Sequence, residues 1–390
     1  MQKNTDLIFK KLAVHLDDLP AGFPPGGDGL ELRLLQKLFT PEDAELAIHI
    51  TLIPEDARVV AWRAKRNPEQ VAQQLKEMAF KGLIFSIEQA DKPPLYMANQ
   101  MVIGIWEYHV QNLDPDLIHD MNAYIPALLK EAWKVPQLRT IPVNRSISPQ
   151  LEVMTYENAE EMIRRHKKLV VAPCICRRER TMVGEGCNKP EESCLIFGSS
   201  ADYYVRNGMG RVITQQEALR ILQRADEAGL VLQPGNSQRA GNICCCCGCC
   251  CGVLRTLKQL PKPAGQVSSP FYAVSDSDTC EGCGTCLERC QIDAVILDNG
   301  TAQINRDRCI GCGLCITTCP SNSLTLVRKP SELQPPVLKN SRDTYLKLGR
   351  LRNKLGFLQI TKLFLKSKID RLLVSSGLYL YFIRSTQVEN

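Results

Sequence analysis

Cys280-Glu-Gly-Cys283-Gly-Thr-Cys286-Leu-Glu-Arg-Cys290 and, eighteen residues later, Cys309-Ile-Gly-Cys312-Gly-Leu-Cys315-Ile-Thr-Thr-Cys319-Pro320 form the stretch that decides how this chain is read. Each run sets three thiols two residues apart and a fourth three residues further on. A C-x2-C-x2-C turn can wrap three thiolates around one face of an iron–sulfur cube. Gly282, Gly284, Gly311 and Gly313 permit the tight backbone this needs, and leave amides free to donate to sulfur. A zinc site would use four ligands per metal, not eight in this repeat.

Residues 280–320 resemble the bacterial-type 2[4Fe-4S] ferredoxins. In that family the fourth cysteine of each run ligates the other cluster. The resemblance therefore implies Cys280, Cys283, Cys286 and Cys319 for one cluster, and Cys309, Cys312, Cys315 and Cys290 for the second. Gln291 departs from the pattern, which usually carries proline after the fourth cysteine.

Eleven of the 19 cysteines lie upstream, none before Cys174. Cys174-x-Cys176-Arg177-Arg178 is followed by Cys187 and Cys194, and then by Cys244-Cys245-Cys246-Cys247-Gly248-Cys249-Cys250-Cys251. Neighbouring side chains point in different directions, so seven thiols in eight positions are not all buried structural cysteines. An odd total with adjacent members also argues against a secreted disulfide framework. The candidate ligands of at least one further cluster are Cys174, Cys176, Cys187, Cys194, Cys244, Cys246, Cys247, Cys249, Cys250 and Cys251, with Cys245 the expected spectator. A zinc site or a thiol redox site is the alternative. The stretch 174–254 is similar to a segment of uncharacterised iron–sulfur proteins of anaerobic prokaryotes. The likeness rests on Cys174-Ile-Cys176-Arg177, Gly186-Cys187-Asn-Lys-Pro190, Cys194-Leu-Ile-Phe-Gly198, Gly210-Arg-Val-Ile-Thr214, Ala228-Gly-Leu-Val231 and the 244–251 run. With a winged-helix-like N-terminus and a C-terminal ferredoxin, it extends over residues 20–325 and implies a redox role.

The N-terminal region carries three helix-start signals: Thr40-Pro-Glu-Asp, Pro54-Glu-Asp-Ala and Asn67-Pro-Glu-Gln. Strand-like runs at 83–87 and 95–103 follow, joined by a polar loop at 88–94. Three short helices and a hairpin make a winged-helix pattern. The exposed positions of the third helix, Glu69, Gln70, Gln73, Gln74, Lys76 and Glu77, offer little charge to phosphate, so a scaffold or docking module is preferred to DNA binding. Helices are expected at 114–133, 156–168 and 214–227, with a three-proline stretch at 135–149 that is a connector or a domain boundary.

The net charge is +6, but residues 328–390 hold 13 Lys/Arg against 4 Asp/Glu, a local +9 that leaves −3 elsewhere. This basic tail mixes Leu, Ile and Phe with Lys and Arg at helical intervals between 346 and 383. It suits either an anionic membrane surface or packing against its own protein. There is no signal-peptide core at the N-terminus and no stretch of about 18 apolar residues. The five histidines share no ligand spacing. Arg177, Arg178, Arg180 and Arg211 could steady a cluster or form a solvated face. Tyr203 and Tyr204 could donate protons, though packing suits them better.

The expectation is an α+β multi-domain protein of four segments. These are a winged-helix-like module with a helical extension (1–135), a Cys-rich, mostly helical redox domain (136–262), a 2[4Fe-4S] ferredoxin domain (263–330) and a basic amphipathic tail (331–390). The expected cofactors are two [4Fe-4S] clusters with one or more additional iron–sulfur clusters. The expected compartment is a reducing, low-oxygen cytoplasm, with the tail able to touch the inner face of the membrane. The preferred function is single-electron relay to a redox partner protein, more as a subunit of an oxidoreductase than as a stand-alone enzyme. The alternatives are a reductase whose upstream cluster binds substrate, and a redox-responsive DNA-binding regulator.

Overall fold

The computed structural model describes residues 2–376; the end of the basic tail, residues 377–390, lies outside them. Helix and sheet are mixed, and the chain divides into two compact units. One runs up to Lys134 and resumes at Tyr345; the other is Val135–Thr344.

In the first unit, helix Pro41–Ala47 starts where Thr40 accepts from the Asp43 amide at 3.1 Å. Helix Pro68–Phe80 starts where Asn67 accepts from the Glu69 and Gln70 amides, and it buries Val71, Leu75, Met78 and Ala79. The signal at Pro54 resolves differently. Glu55–Asp56 is a short strand paired with Tyr96 and Leu95, and the helix is Ala57–Ala64, capped by Asp56. The hairpin is also tighter than its prolines suggest. Strands Ile84–Gln89 and Lys92–Ala98 pair up to Gln89 and Lys92, so the expected seven-residue loop shrinks to Ala90 and Asp91, with Asp91 at φ 58°. Pro93 and Pro94 sit where the ladder is bulged, so their missing N–H groups break no regular pairing.

Within the same unit, tail helix Phe357–Ser375 packs on Ala57–Ala64. Its inward face joins the polar Ser367 and Asp370 to Val374. Arg63 meets Glu55 at 2.6 and 2.7 Å and Asp370 at 2.6 Å, while Ser367 donates to Glu55 at 2.6 Å. All four side chains are buried or nearly so. Its outward face carries exposed Leu358, Leu365, Ile369 and Leu372, within about 60° of one another at 100° per residue. Among the described residues no helix is long and apolar enough to cross a membrane.

The second unit corrects the expectation of a mostly helical middle. Its frame is a five-stranded antiparallel sheet, ordered Arg211–Ile213, Leu169–Pro173, Glu192–Phe197, Asn242–Cys246, Val231–Pro234. The strands are short and the central ones are covered on both faces, so they lack the half-polar alternation that marks a strand in sequence. Helix Gln215–Glu227 lays Ala218, Ile221, Leu222 and Ala225 on the sheet face made by Leu169, Val171, Leu195 and Phe197. The helix expected at 156–168 shortens to Ala159–Arg164. The proline-rich stretch after Val135 is buried, not a free connector. Its Arg139, Thr140, Ile141 and Val143 amides donate to Pro234, Ser268, Leu232 and Cys312. Two small two-stranded antiparallel sheets complete the unit: Phe271–Ser275 pairs with Leu324–Arg328, and Val295–Asp298 with Thr301–Ile304.

Replacing Arg63 by alanine strands two buried carboxylates, Glu55 and Asp370. The expected loss is about 3–5 kcal/mol. All three tryptophans, Trp62, Trp106 and Trp133, lie in this unit, so a urea titration followed by tryptophan fluorescence reads it directly. A loss below about 1 kcal/mol would mean that the tail helix is held by other contacts.

Candidate metal centres

Two cavities occupy the region of the two small sheets. One is lined by Cys280, Cys283, Cys286 and Cys319, the other by Cys309, Cys312, Cys315 and Cys290. Each cavity thus takes three thiols from one run and the fourth from the other. The exchange is made by two short helical turns. Cys286 lies in Thr285–Arg289 with Cys290 just past its end, and Cys315 and Cys319 flank Ile316–Thr318. The backbone must approach closely, and two glycines allow it. A side-chain carbon on Gly282 or Gly311 would lie 2.3 Å from the carbonyl oxygen of Gly300 or Phe271, and both glycines have positive φ.

The two cavities differ in their electrostatics. At the first, the Ala302 amide lies 3.4 Å from Cys280 Sγ, and the Ala302 and Gly282 amides hold that thiol below its ordinary pKa. Burial acts to raise Cys319, but the hydroxyls of Ser323, at 3.3 Å, and Ser321, at 3.6 Å, outweigh it and the pKa is lowered. At the second, the Ala273 and Ala294 amides reach Cys309 and Cys290 at 3.4 and 3.2 Å. Burial there dominates, pushing Cys309 up, Cys312 to about 12 and Cys315 well above its ordinary value. The first cavity is the wetter and better supplied with donors.

Upstream, strand Asn242–Cys246 does the sorting. Its register pairs Cys244 with Cys194 and turns Cys244 and Cys246 to one face of the sheet. Cys245 faces the other way, with the apolar layer of Ile243 and Leu195, and burial pushes its thiol to about 12. Cys174 and Cys176 enter from the start of helix Ile175–Met182, and Cys251 from the start of Gly252–Lys258. These thiols act on one another's ionisation in the order Cys174, Cys176, Cys251, Cys246, Cys244 and Cys194, which links them as one string. Neighbouring thiols hold Cys244 (beside Cys194 and Cys246) and Cys251 (beside Cys176 and Cys246) well below their ordinary pKa, and raise Cys176, Cys194 and Cys246.

The remaining four candidates, Cys187, Cys247, Cys249 and Cys250, gather separately, with all four sulfurs within 4.8 Å of one another. Arg177 lies against both groups. It is 2% exposed, donates to Cys247 Sγ at 3.6 Å and to the Cys245 carbonyl at 3.0 Å, and also reaches the Ser193 hydroxyl. Burial opposes its charge, yet Cys174, Cys247 and Cys246 raise its pKa above the ordinary value. A buried cation answered by sulfur indicates thiolates around it.

The upstream thiols also meet the ferredoxin region. The Gly248 amide donates to the Gln291 side chain at 2.9 Å, and a side-chain carbon on Gly248 would lie 2.3 Å from the Gln291 carbonyl oxygen. Gln291 directly follows Cys290. Sequence reasoning noted its departure from proline but not its use, and it missed Ser193, Ser321 and Ser323 altogether, since hydroxyls beside ligands carry no spacing signal. Arg178, Arg180 and Arg211 pair with Glu191, Glu185 and Glu192, and Arg180 also lies within electrostatic reach of Cys249 and Cys250. Tyr203 is fully buried and its pKa is raised by that burial.

Residues 272–320 match the family model of the 4Fe-4S dicluster domain. No curated protein and no solved structure matches the chain. The chain is an iron–sulfur protein with an electron-transfer role. Its dicluster domain implies two [4Fe-4S] clusters, and a further Cys-rich metal-binding site lies upstream.

Hydrogen bonds to sulfur and exposure set the potential of such clusters. Ser323→Ala removes one hydroxyl at the first cavity, and one hydrogen bond of about 1 kcal/mol corresponds to about 40 mV for a one-electron couple. Anaerobic potentiometry followed by paramagnetic resonance should show one of two couples becoming more negative by that order, with the other unmoved. Equal movement of both would mean that the hydroxyl does not discriminate between the cavities.

Proposed function

We propose that the chain relays single electrons through two [4Fe-4S] sites to or from a third, upstream iron–sulfur site and a partner oxidoreductase. In this reading Cys280, Cys283, Cys286 and Cys319 hold the first cluster, and Cys309, Cys312, Cys315 and Cys290 the second. The linked thiols Cys174, Cys176, Cys194, Cys244, Cys246 and Cys251 hold the third. When bound, iron–sulfur clusters supply one-electron chemistry.

The observation that carries the reading is the exchange of the fourth cysteine between the two cavities. Cys286 and Cys290 are four residues apart across one helical turn, a rise of about 6 Å. The same short backbone therefore holds a thiol at each cavity, and the pair of sites is kept within a distance suited to fast transfer. The Gly248–Gln291 hydrogen bond supports the next step, because it fixes the upstream cysteine run beside the backbone that carries Cys290. The six linked thiols offer more donors than the four that a [4Fe-4S] cluster takes. That favours a closed electron-transfer site over a reductase site with an open iron.

Iron and acid-labile sulfide per chain, measured on anaerobically purified protein with reduced-state paramagnetic resonance, test this reading. About twelve irons with a further signal are expected, four more than the eight of two cubanes. Cys176→Ser combined with Cys251→Ser should remove about four irons and that signal only. A wild-type count of about eight, with no further signal, rejects the upstream cluster.

The tail supports peripheral contact with an anionic membrane surface. The outward Leu358, Leu365, Ile369 and Leu372 of helix Phe357–Ser375 are exposed, and Lys362 and Lys368, also exposed, flank them. Apolar residues edged by lysine suit a helix lying in the headgroup layer. The full chain should co-sediment with phosphatidylserine-containing vesicles at low salt, and Leu358→Ser with Leu365→Ser and Leu372→Ser should abolish this. Equal recovery of both proteins in the pellet, or none of either, counts against the contact.

A further inference from the structure

We infer that Cys187, Cys247, Cys249 and Cys250 form a cage for one tetrahedral divalent metal ion, zinc or iron, separate from every iron–sulfur cluster of the chain. The distances are what distinguish the two kinds of site. Cys187 Sγ lies 4.0 Å from Cys247 Sγ and 3.6 Å from Cys250 Sγ, and Cys249 Sγ lies 3.8 Å from Cys250 Sγ. A metal–sulfur bond of about 2.3 Å in a tetrahedron gives sulfur–sulfur edges of about 3.8 Å. In a cubane each thiolate binds a different iron and stands outward from it, so the four sulfurs span a wider tetrahedron than any single ion requires.

The chain supplies its own comparison. The eight thiols of the dicluster domain line two cavities, and the six linked thiols upstream extend as a string. Neither set draws together in this way. Among the described residues no other group of three or more candidate ligands has all its ligand atoms within 4.8 Å. A disulfide does not account for the spacing either, because bonded sulfurs stand about 2.05 Å apart.

Charge and access fit a metal thiolate. Four thiolates around a divalent ion carry a net charge of −2. Arg177, buried and 3.6 Å from Cys247, supplies a positive charge there, and its hydrogen-bond partners are sulfur, hydroxyl and carbonyl. Cys249 is exposed, which gives the ion a way in, while Cys247 and Cys250 are buried. An ion here would tie the Cys187 loop to the 247–250 turn. Gly248 of that turn donates to Gln291, so the cage would brace the contact between the Cys-rich sheet and the dicluster domain.

The inference does not depend on whether the six linked thiols carry a cluster. Zinc, iron and acid-labile sulfide are measured per chain for the full-length protein and for Cys187→Ser with Cys249→Ser, both purified anaerobically. The expected result is loss of one zinc, or of one iron, with sulfide unchanged. Loss of zinc identifies a zinc site; loss of a sulfide-free iron, together with its own paramagnetic signal, identifies an iron site. Growth with cobalt should place one Co²⁺ per chain, with the visible ligand-field absorption of a tetrahedral thiolate site, and the double variant should lack that absorption. Unchanged signals from the two [4Fe-4S] clusters show that the variant has folded, and Cys249→Ser alone, at an exposed position, provides a milder variant. Loss of iron and sulfide together, or no loss of any metal from a folded variant, overturns the inference. Absence of a third cluster would appear separately, in the sulfide content of the wild type.

Discussion

A β-strand turns successive side chains to opposite faces of its sheet, and at Asn242–Cys246 this rule decides what a run of cysteines can do. Cys244 and Cys246 are placed beside Cys194, whereas Cys245 is committed to the apolar layer. Once the strand ends, the chain turns through Cys247-Gly248-Cys249-Cys250 and directs those thiols toward Cys187. Two kinds of thiol group therefore follow from one stretch of sequence, because its backbone changes from strand to turn between Cys246 and Cys247. The sheet that imposes this register is itself held by buried Leu169, Val171, Leu195, Phe197 and Ile243. Disturbing that layer would move sulfur on the other face.

Burying so many thiols creates an electrostatic problem, and the chain answers it in different ways at different places. The first dicluster cavity uses amides and the hydroxyls of Ser321 and Ser323 near partly exposed sulfur. The second has amides but a drier surround, and burial raises its thiols. Upstream, a whole guanidinium is buried. An unpaired charge so deep would be costly, and Arg177 is answered by the Cys247 sulfur, the Ser193 hydroxyl and the Cys245 carbonyl. With that set of partners, a residue that could pass for part of a solvated face in sequence is almost completely enclosed.

What was legible in the sequence was what a short repeat or a local rule encodes. The 280–320 runs announced their chemistry through spacing alone, and Thr40 and Asn67 marked helix starts through capping. The five-stranded sheet was hidden because its strands are three to six residues long and its central ones are covered on both faces. The division of the upstream cysteines needed the register between strands about fifty residues apart. The docking of the tail was hidden for another reason. Its inward face includes Ser367 and Asp370, which read as solvent-facing until Arg63 and Glu55, some 300 residues away, are brought against them.

Gln291 draws these threads together. In a free-standing dicluster domain a proline after the fourth cysteine stiffens the backbone as it leaves the site, but it has no side-chain amide. Glutamine gives up that stiffness and gains an acceptor, and here the acceptor is taken by the Gly248 amide. Gly248 must be glycine because the Gln291 carbonyl occupies the space where a side chain would begin. Each departure from the usual pattern makes sense only with the other. Together they fix the turn bearing Cys247, Cys249 and Cys250 beside the backbone of Cys290. The dicluster domain is thereby built into the Cys-rich sheet, as expected where electrons must leave one metal site for the next within a single compact unit.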